Sequence, residues 1–155
     1  MRRLVGDDWR LLREVRLAAL LDAPAAFGSS YQQEAGFDEA RWRDRIAGAA
    51  VFAGYRDGEP AGLVGCFVED DGLGHLVMMW VRADARGTGL AGALVAAVLA
   101  WARAQGLPGV RLWVTTGNDA ARRLYVGHGF VPTGASCPLP SDPTLTEHEL
   151  VLRLA

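Results

Sequence analysis

Hydrophobic positions follow two different periods along the chain, and the changes between them predict the order of its elements. In some segments apolar residues recur at helical spacing, whereas in others they form short runs bounded by turn residues, as strands do. Helices are predicted at residues 7–21, 38–46, 89–105 and 119–127. Strands are predicted at residues 2–5, 51–56, 61–68, 76–81, 110–115, 130–133 and 149–154. The predicted order is β-α-α-β-β-β-α-β-α-β-β.

The first predicted helix has a broad apolar face and a charged face. Asp7 is its predicted N-cap, and apolar residues such as Leu12 are predicted to contact the core. Arg16 belongs to the charged set that is predicted to point mostly outward. Pro24 breaks the helix, and the segment 23–37 is predicted to be irregular.

A strand, a long helix and a second strand follow one another from residue 76 to residue 115. Such a unit is expected to be a right-handed crossover between parallel strands. The turn between the first strand and the helix therefore lies at the carboxyl end of a strand, where α/β proteins commonly bind ligands.

That turn is rich in glycine and predicts an anion site. Gly87 and Gly89 lack the Cβ atoms that would keep a ligand away from the backbone, so the first N–H groups of the helix stay free. These donors and the positive end of the helix dipole attract anions. Arg86 adds a full positive charge. The expected anion is a phosphate or pyrophosphate.

The segment from Asn118 to Phe130 places an amide and a phenol on one short helix. Asn118 is the predicted N-cap, and Ala121 and Tyr125 share a helix face because they are four residues apart. Gly129 ends the helix. Phe130 is predicted to begin a buried strand.

Two other nucleotide-binding motifs also contain a glycine-rich turn before a helix, and the chain lacks a residue that each of them needs. Residues 87–92 also fit G-x-G-x-x-G, but a dinucleotide fold needs an acidic residue at the end of the next strand. That strand ends in Thr115 and Thr116, with no carboxylate. A P-loop needs a Gly-Lys pair, and this chain contains no lysine.

Both segments resemble the GNAT family of N-acetyltransferases. Arg86-Gly-Thr-Gly89-Leu-Ala91 is similar to its acyl-CoA-binding R/Q-x-x-G-x-G/A motif, and residues 118–130 are similar to its N-x-x-A-x-x-L-Y-x-x-x-G-F pattern. The resemblance covers roughly the whole chain and implies a single domain, residues 1–155. It implies a mixed α/β fold, with a central, mostly antiparallel sheet, one parallel β-α-β crossover and helices on both faces.

The resemblance also implies roles for individual residues toward acetyl-CoA. The backbone N–H groups from Arg86 to Ala91 would hold the pyrophosphate, and the main chain of Met79 and Val81 would pair with the pantetheine arm. Asn118 would orient that arm, and Tyr125 would protonate the departing thiolate as a general acid. The implied cofactor-binding residues are Met79, Trp80, Val81, Arg86, Gly87, Thr88, Gly89, Leu90, Ala91 and Asn118.

The implied reaction is transfer of the acetyl group to a primary amine, expected on a small molecule, by direct attack. The alternatives are an N-terminal or lysine protein acetyltransferase and a non-catalytic acyl-CoA-binding module of the same fold. Many family members carry a glutamate on the strand before the glycine turn as a base, but residues 76–79 contain no acid. The open candidates for the base are Glu34, Glu69, Asp70, His75 and Glu147.

The acceptor is predicted to bind beside the segment 23–37, which the resemblance places across the sheet from the coenzyme. Phe27, Tyr31 and Phe37 offer apolar contact there. Glu34, together with Asp38 just beyond the segment, is predicted to attract a cationic amine.

The composition of the chain argues against several other classes of protein. Half of the 155 residues are hydrophobic, so a core is expected, and a net charge of −2 with scattered arginines argues against nucleic acid as a partner. Cys66 lies in an apolar strand and Cys137 in a predicted loop with three prolines, which predicts neither a metal site nor a disulfide framework. The longest apolar run, residues 89–102, is too short for a membrane span. The cytoplasm is the expected compartment, and a homodimer is left open.

Overall fold

A computed structural model describes residues 1–154, which form seven strands and five α-helices around one sheet. The strands are β1 (Arg2–Arg3), β2 (Ala50–Arg56), β3 (Glu59–Val68), β4 (Gly74–Val81), β5 (Gly109–Thr115), β6 (Val131–Leu139) and β7 (Asp142–Arg153). The helices are α1 (Trp9–Asp22), α2 (Tyr31–Ala35), α3 (Glu39–Ala47), α4 (Leu90–Ala104) and α5 (Asp119–Gly127).

The sheet has the strand order β1-β2-β3-β4-β5-β7-β6. Every neighbouring pair is antiparallel except β4 and β5, which are parallel and joined through α4. The mixed sheet with one parallel crossover is therefore confirmed. β4 and β5 pair only at Gly74 with Val110 and His75 with Arg111, so the two strands separate toward their carboxyl ends.

Helices cover both faces of the sheet, because alternate residues of each strand point to opposite sides. On β2, Phe52 contacts the core beneath α4, whereas Val51 and Ala53 contact the core beneath α1 and α3. Gly54 permits the close approach of α4, since a Cβ there would lie 2.5 Å from the Leu90 side chain.

The first turn of the chain differs from the prediction that Asp7 caps α1. Residues Gly6–Asp8 form a 3-10 turn, and the α-helix begins at Trp9 with Asp8 as its N-cap residue. The Asp8 carboxylate accepts a hydrogen bond from the Val5 N–H at 2.8 Å, so Asp8 fixes the 3-10 turn that precedes the helix.

The segment 23–37 was predicted to be irregular, but it contains the short helix α2. Ser30 caps this helix, and its hydroxyl accepts a hydrogen bond from the Gln33 N–H at 3.2 Å. The helix has only five residues, too few for a periodic pattern to be visible in the sequence.

The predicted proline loop near the carboxyl end is instead a long hairpin of β6 and β7. β6 is the edge strand of the sheet, where the missing N–H groups of Pro132 and Pro138 are tolerated. The buried strand expected from Phe130 is also wrong in part: Phe130 is buried just before β6, whereas Val131 is 62% exposed.

Candidate functional site

A cavity of about 630 Å³ lies where β4 and β5 separate. Side chains from both faces of the sheet line it, because the gap between the strands connects the two faces. Its wall on the α5 side includes Asn118, Ala121, Leu124 and Tyr125. Its wall on the side of α1 to α3 includes Arg16, Phe27, Glu34, Phe37, Arg41 and Arg45.

A β-bulge in β4 shapes the floor of the cavity. Leu63 pairs with Trp80 and Gly65 with Val77, so β4 has one extra residue between these pairs. Met78 has a φ of 58°, a left-handed conformation that is rare for a side chain of this size. Neither Met78 nor Met79 has a register partner on β3, and β5 has already diverged. The bulge therefore interrupts the regular pairing of β4 at Met78 and Met79.

α5 places an amide and a phenol on the cavity wall. The Asn118 side chain accepts a hydrogen bond from the Ala121 N–H at 3.4 Å, which confirms the predicted cap. Tyr125 is buried against the edge of Phe130, with ring centroids 5.8 Å apart. Burial raises the pKa of the Tyr125 phenol, so its proton is retained throughout the neutral range. The phenol is therefore in its protonated form inside the cavity.

The glycine turn has the geometry of an anion site. Gly87 and Gly89 have φ values of 76° and 88°, and a Cβ at either would meet nothing within 4 Å. α4 begins directly after Gly89, so its first N–H groups have no carbonyl within the helix to bond. The Arg86 N–H already donates to the Ala83 carbonyl at 3.3 Å, so the free donors begin after Arg86.

The Arg86 side chain is held by protein groups rather than pointing freely at the turn. Its guanidinium donates to the Asp22 carboxylate at 2.6 Å and to the Val81 carbonyl at 3.0 Å. Trp80 Nε1 donates to the same carboxylate oxygen at 2.9 Å. These hydrogen bonds, first from Trp80 and then from Arg86, lower the pKa of Asp22. Asp22 thus links the end of α1 to β4 and the glycine turn, a role that no sequence motif signals.

A buried charge cluster lies on the opposite wall of the cavity. Arg16 is only 5% exposed, which contradicts the outward position predicted from helical spacing. Its guanidinium binds both carboxylate oxygens of Glu34, at 2.9 and 3.0 Å, and Arg45 binds the same carboxylate at 2.7 Å.

These ion pairs change the role of Glu34. Although burial opposes ionisation, hydrogen bonds from Arg16 and Arg45 lower its pKa to about 2. The prediction that Glu34 attracts a cationic amine is wrong, because its charge is already bound by two guanidiniums. Tyr31, also predicted to contact the acceptor, is 36% exposed and is absent from the cavity wall.

Of the five candidates for a general base, three are poorly placed. Glu34 is bound by the two arginines, Asp70 is exposed in the turn between β3 and β4, and Glu69 pairs with Arg111 at 2.9 Å outside the cavity lining. His75 and Glu147 line the cavity.

His75 and Glu147 lie at different points along the gap between β4 and β5. Burial lowers the pKa of His75, which lies in the short paired part of β4 and β5. Glu147 is half-buried on β7, opposite Thr115 of β5, and burial raises its pKa. The hydroxyl of Thr115 donates to the Ala25 carbonyl at 2.9 Å, which places this pair on the face that carries the segment 23–37.

Within residues 1–154, no group of three or more metal-ligating side chains lies close enough together to hold a metal ion. The same residues include no helix that is both long and apolar enough to cross a membrane.

Sequence comparison identifies relatives of the chain. The family model described as Acetyltransferase (GNAT) family matches residues 15–130. A mycothiol acetyltransferase from Streptomyces avermitilis is 34% identical over 126 residues, which are 81% of this chain and 40% of that protein. The chain therefore spans well under half the length of this curated relative.

Structure comparison gives matches along almost the whole chain. yncA from Salmonella typhimurium, solved with its cofactor acetyl-CoA, matches with a TM-score of 0.79 and 21% identity over 99% of this chain and 92% of that chain. A ribosomal-protein-alanine N-acetyltransferase from Brucella melitensis matches with a TM-score of 0.73 and 21% identity over 99% and 98% of the two chains. At these identities the likeness shows a common fold.

Proposed function

The chain belongs to the GNAT acetyltransferase family, and we propose that it transfers the acetyl group of acetyl-CoA to the primary amine of a small molecule. The family predicted from the two motifs is thus confirmed. The observation that carries the proposal is the cavity between β4 and β5, which joins the buried phenol of Tyr125 to a separate charged wall. One cavity that is open to both faces of the sheet gives two substrates a common meeting point.

The coenzyme occupies the α4 and α5 side in this proposal. The N–H groups of residues 87–91 bind the pyrophosphate, with Gly89 letting the backbone approach it. The main chain of Met79 to Val81 pairs with the pantetheine arm along the edge of β4 that β5 leaves open. Asn118 orients the arm, and the thioester lies near Tyr125.

The reaction is a direct attack of the neutral amine on the thioester carbonyl. The new N–C bond forms as the C–S bond breaks, and Tyr125 gives its proton to the departing thiolate. In this proposal the main-chain N–H of Met79 polarises the carbonyl. Holding both substrates in one cavity supplies a large part of the rate, because attack becomes effectively unimolecular.

Glu147 is the proposed base that accepts the proton lost by the amine. Gly74 of β4 pairs with Val110 of β5. Met79 and Thr115 each lie five residues beyond this pair, so they are at about the same distance along the gap between the strands. Thr115 pairs directly with Glu147 on β7. In this proposal the Glu147 carboxylate therefore lies near the thioester, whereas His75 lies where β4 and β5 are still paired.

Replacing Tyr125 with Phe tests the acid role. The variant keeps the ring and removes the hydroxyl, so kcat is expected to fall roughly 100-fold with acetyl-CoA affinity nearly unchanged. Tyr31→Phe is the matched control, because Tyr31 lies outside the cavity. Steady-state kinetics with any accepted amine make the measurement. Turnover within about threefold of wild type in Tyr125→Phe would reject the acid.

Replacing Glu147 with Gln tests the base. Because burial raises the Glu147 pKa above its ordinary value, wild-type kcat/KM should rise as pH increases through that raised pKa. Glu147→Gln should lack this rise and lose roughly 100-fold in kcat/KM. His75→Gln, measured in parallel, should keep the rise. If instead His75→Gln removed it, His75 would be the base.

The acceptor class is decided by a panel that compares small amines with peptides. The curated relative is named for mycothiol acetylation, and the Brucella structural match is named for a ribosomal-protein alanine. The cavity volume of about 630 Å³ is typical of small-molecule sites and favours the small molecule here. A preference for peptides of roughly tenfold or more in kcat/KM would replace it with a protein acceptor.

A further inference from the structure

Two guanidiniums share one carboxylate in the cavity wall. Glu34 uses one oxygen for Arg16 Nη2 and the other for both Arg16 Nε and Arg45 Nη1. Arg16 Nη1 is buried and has no hydrogen-bond partner. Arg45 Nη2 has only the sulfur of Met78, at 3.8 Å. The cluster therefore carries one positive charge and several N–H donors that Glu34 does not satisfy.

Among residues 1–154, two other carboxylates line the cavity, those of Asp44 and Glu147. Neither forms an ion pair with an arginine of this wall. Arg41 brings a further cation to the same wall, and Asp44, which also lines the cavity, is exposed to solvent. Aromatic rings provide partial compensation instead. The Arg16 guanidinium lies 4.6 Å from the centre of the Phe27 ring, and that of Arg41 lies 4.5 Å from the centre of the Phe37 ring.

A positive charge removed from water is costly unless an anion or a set of acceptors meets it. Here the surplus faces a cavity large enough for a small molecule. Guanidinium groups match carboxylates particularly well, because the planar fork can donate two parallel hydrogen bonds. The missing partner is therefore supplied by whatever occupies this half of the cavity.

We propose that the acceptor is an amine that also carries a carboxylate, and that Arg45, with Arg16 behind it and Arg41 beside it, binds that carboxylate. The inference rests on the proposed function, since the same molecule presents its amine toward the thioester. It replaces the expectation that carboxylates of the protein attract a cationic acceptor.

Matched acceptors test the class. Phenylalanine, phenylalaninamide and 2-phenylethylamine share one side chain and differ in the carboxylate, and 3-aminopropanoate and 4-aminobutanoate vary the distance between the two groups. The proposal expects kcat/KM at least tenfold higher for phenylalanine, or for one of the longer amino acids, than for the two controls that lack the carboxylate. Amine reactivity would favour phenylalaninamide, whose amine is more often neutral at pH 7, so a preference for carboxylates reports binding.

Arg45→Met tests the site. The substitution leaves Glu34 paired one-to-one with Arg16, so the fold should be retained, which thermal melting checks. KM for the preferred aminocarboxylate should rise at least tenfold, and the ratio of its kcat/KM to that of 2-phenylethylamine should fall at least tenfold. Arg43→Met is the control on the same helix, because Arg43 pairs with Asp7 and Glu39 outside the cavity. Equal losses for amines with and without the carboxylate would overturn the proposal.

A binding experiment separates this inference from the proposed reaction. 3-Phenylpropanoate and 3-phenylpropanamide cannot be acetylated, so their effect on the melting temperature measures the anion site without turnover. Stabilisation by the carboxylate alone, lost in Arg45→Met and kept in Arg43→Met, supports the site even if no amine proves to be a substrate. Equal effects of the two compounds on the wild type would overturn the site even if amines were acetylated.

Discussion

Glu34 is buried and forms ion pairs with two guanidiniums, although the polar residues around it in the sequence predict an exposed position. Arg16 reaches it from α1 and Arg45 from α3, so the cluster ties together three helices on one face of the sheet. Breaking a buried pair by removing one partner is far more damaging than replacing the whole cluster. At the scale of single residues, protonation of this cluster at low pH is therefore expected to destabilise the fold.

The acid dependence of stability should follow Glu34. Its pKa is about 2 in the folded protein and near 4.5 when unfolded, so its stabilisation is complete above pH 4.5 and is lost as pH falls toward 2. Glu34→Gln should lower the free energy of unfolding by roughly 3 kcal/mol near neutral pH. Urea unfolding of both proteins across pH measures the difference.

Glu39→Gln is the control for that experiment, because Glu39 is exposed on α3 and pairs only with Arg43 at 3.5 Å. Its effect should stay within about 0.5 kcal/mol. A difference between wild type and Glu34→Gln that persisted unchanged down to pH 2 would contradict the assignment of the acid dependence to Glu34.

At the scale of elements, the two ends of α4 have the same backbone conformation and different functions. Gly89 before the helix and Gly106 after it both have positive φ, at 88° and 73°, with open space where a Cβ would stand. Only the first of them adjoins free N–H groups, because the donors of a helix point from its amino end. The two glycines therefore form a matched pair for experiment.

Gly89→Val should weaken acetyl-CoA binding more than it harms the fold. Both Gly89→Val and Gly106→Val place a branched residue in a left-handed conformation, which costs on the order of 1–3 kcal/mol of stability. Only Gly89→Val also sets a side chain where the pyrophosphate is proposed to meet the backbone. Calorimetric titration should show at least tenfold weaker binding for this variant alone. Equal affinities for the two variants would remove the glycine turn from the coenzyme site.

At the scale of the whole molecule, the proposed coenzyme site exists only when distant segments meet. β4 supplies an unpaired edge, α4 its amino end and α5 the phenol, and the gap between β4 and β5 joins them. The unfolded chain has none of these arrangements. Acetyl-CoA is therefore expected to bind the folded protein and to shift its unfolding equilibrium.

Thermal melting measures this coupling. Acetyl-CoA at 100 times its dissociation constant should add about 2.7 kcal/mol to the free energy of unfolding and raise the melting temperature accordingly. S-acetyl-N-acetylcysteamine has the thioester without the pyrophosphate and should raise it far less at the same concentration. An unchanged midpoint at millimolar acetyl-CoA would argue against the cofactor.

Local signals in the sequence determined a large part of this protein. The caps Asn118 and Asp38, the turn at Asp57 and Gly58 and the helix-ending Gly106 all act through their own backbone conformation or over a few residues. They predict four of the five helices and the middle strands closely. The two motifs also identify the family and the parallel crossover, because the strand, turn and helix of each motif are continuous in sequence.

Tertiary structure alone decided the burial of Arg16, the pairing of Glu34, the hairpin of β6 and β7 and the role of Asp22. An arginine at a polar helical position is predicted to be exposed, but a carboxylate from another helix can pair with it in the interior. Several prolines close together predict a loop, but an edge strand of a sheet can also contain them. The gap between β4 and β5 likewise comes from how the strands diverge in space. The burial of Arg16, the pairing of Glu34 and the role of Asp22 depend on contacts between residues far apart in the chain. The position of β6 at the sheet edge depends on the pairing of β7 with β5. Helical or strand periodicity carries no information about such contacts.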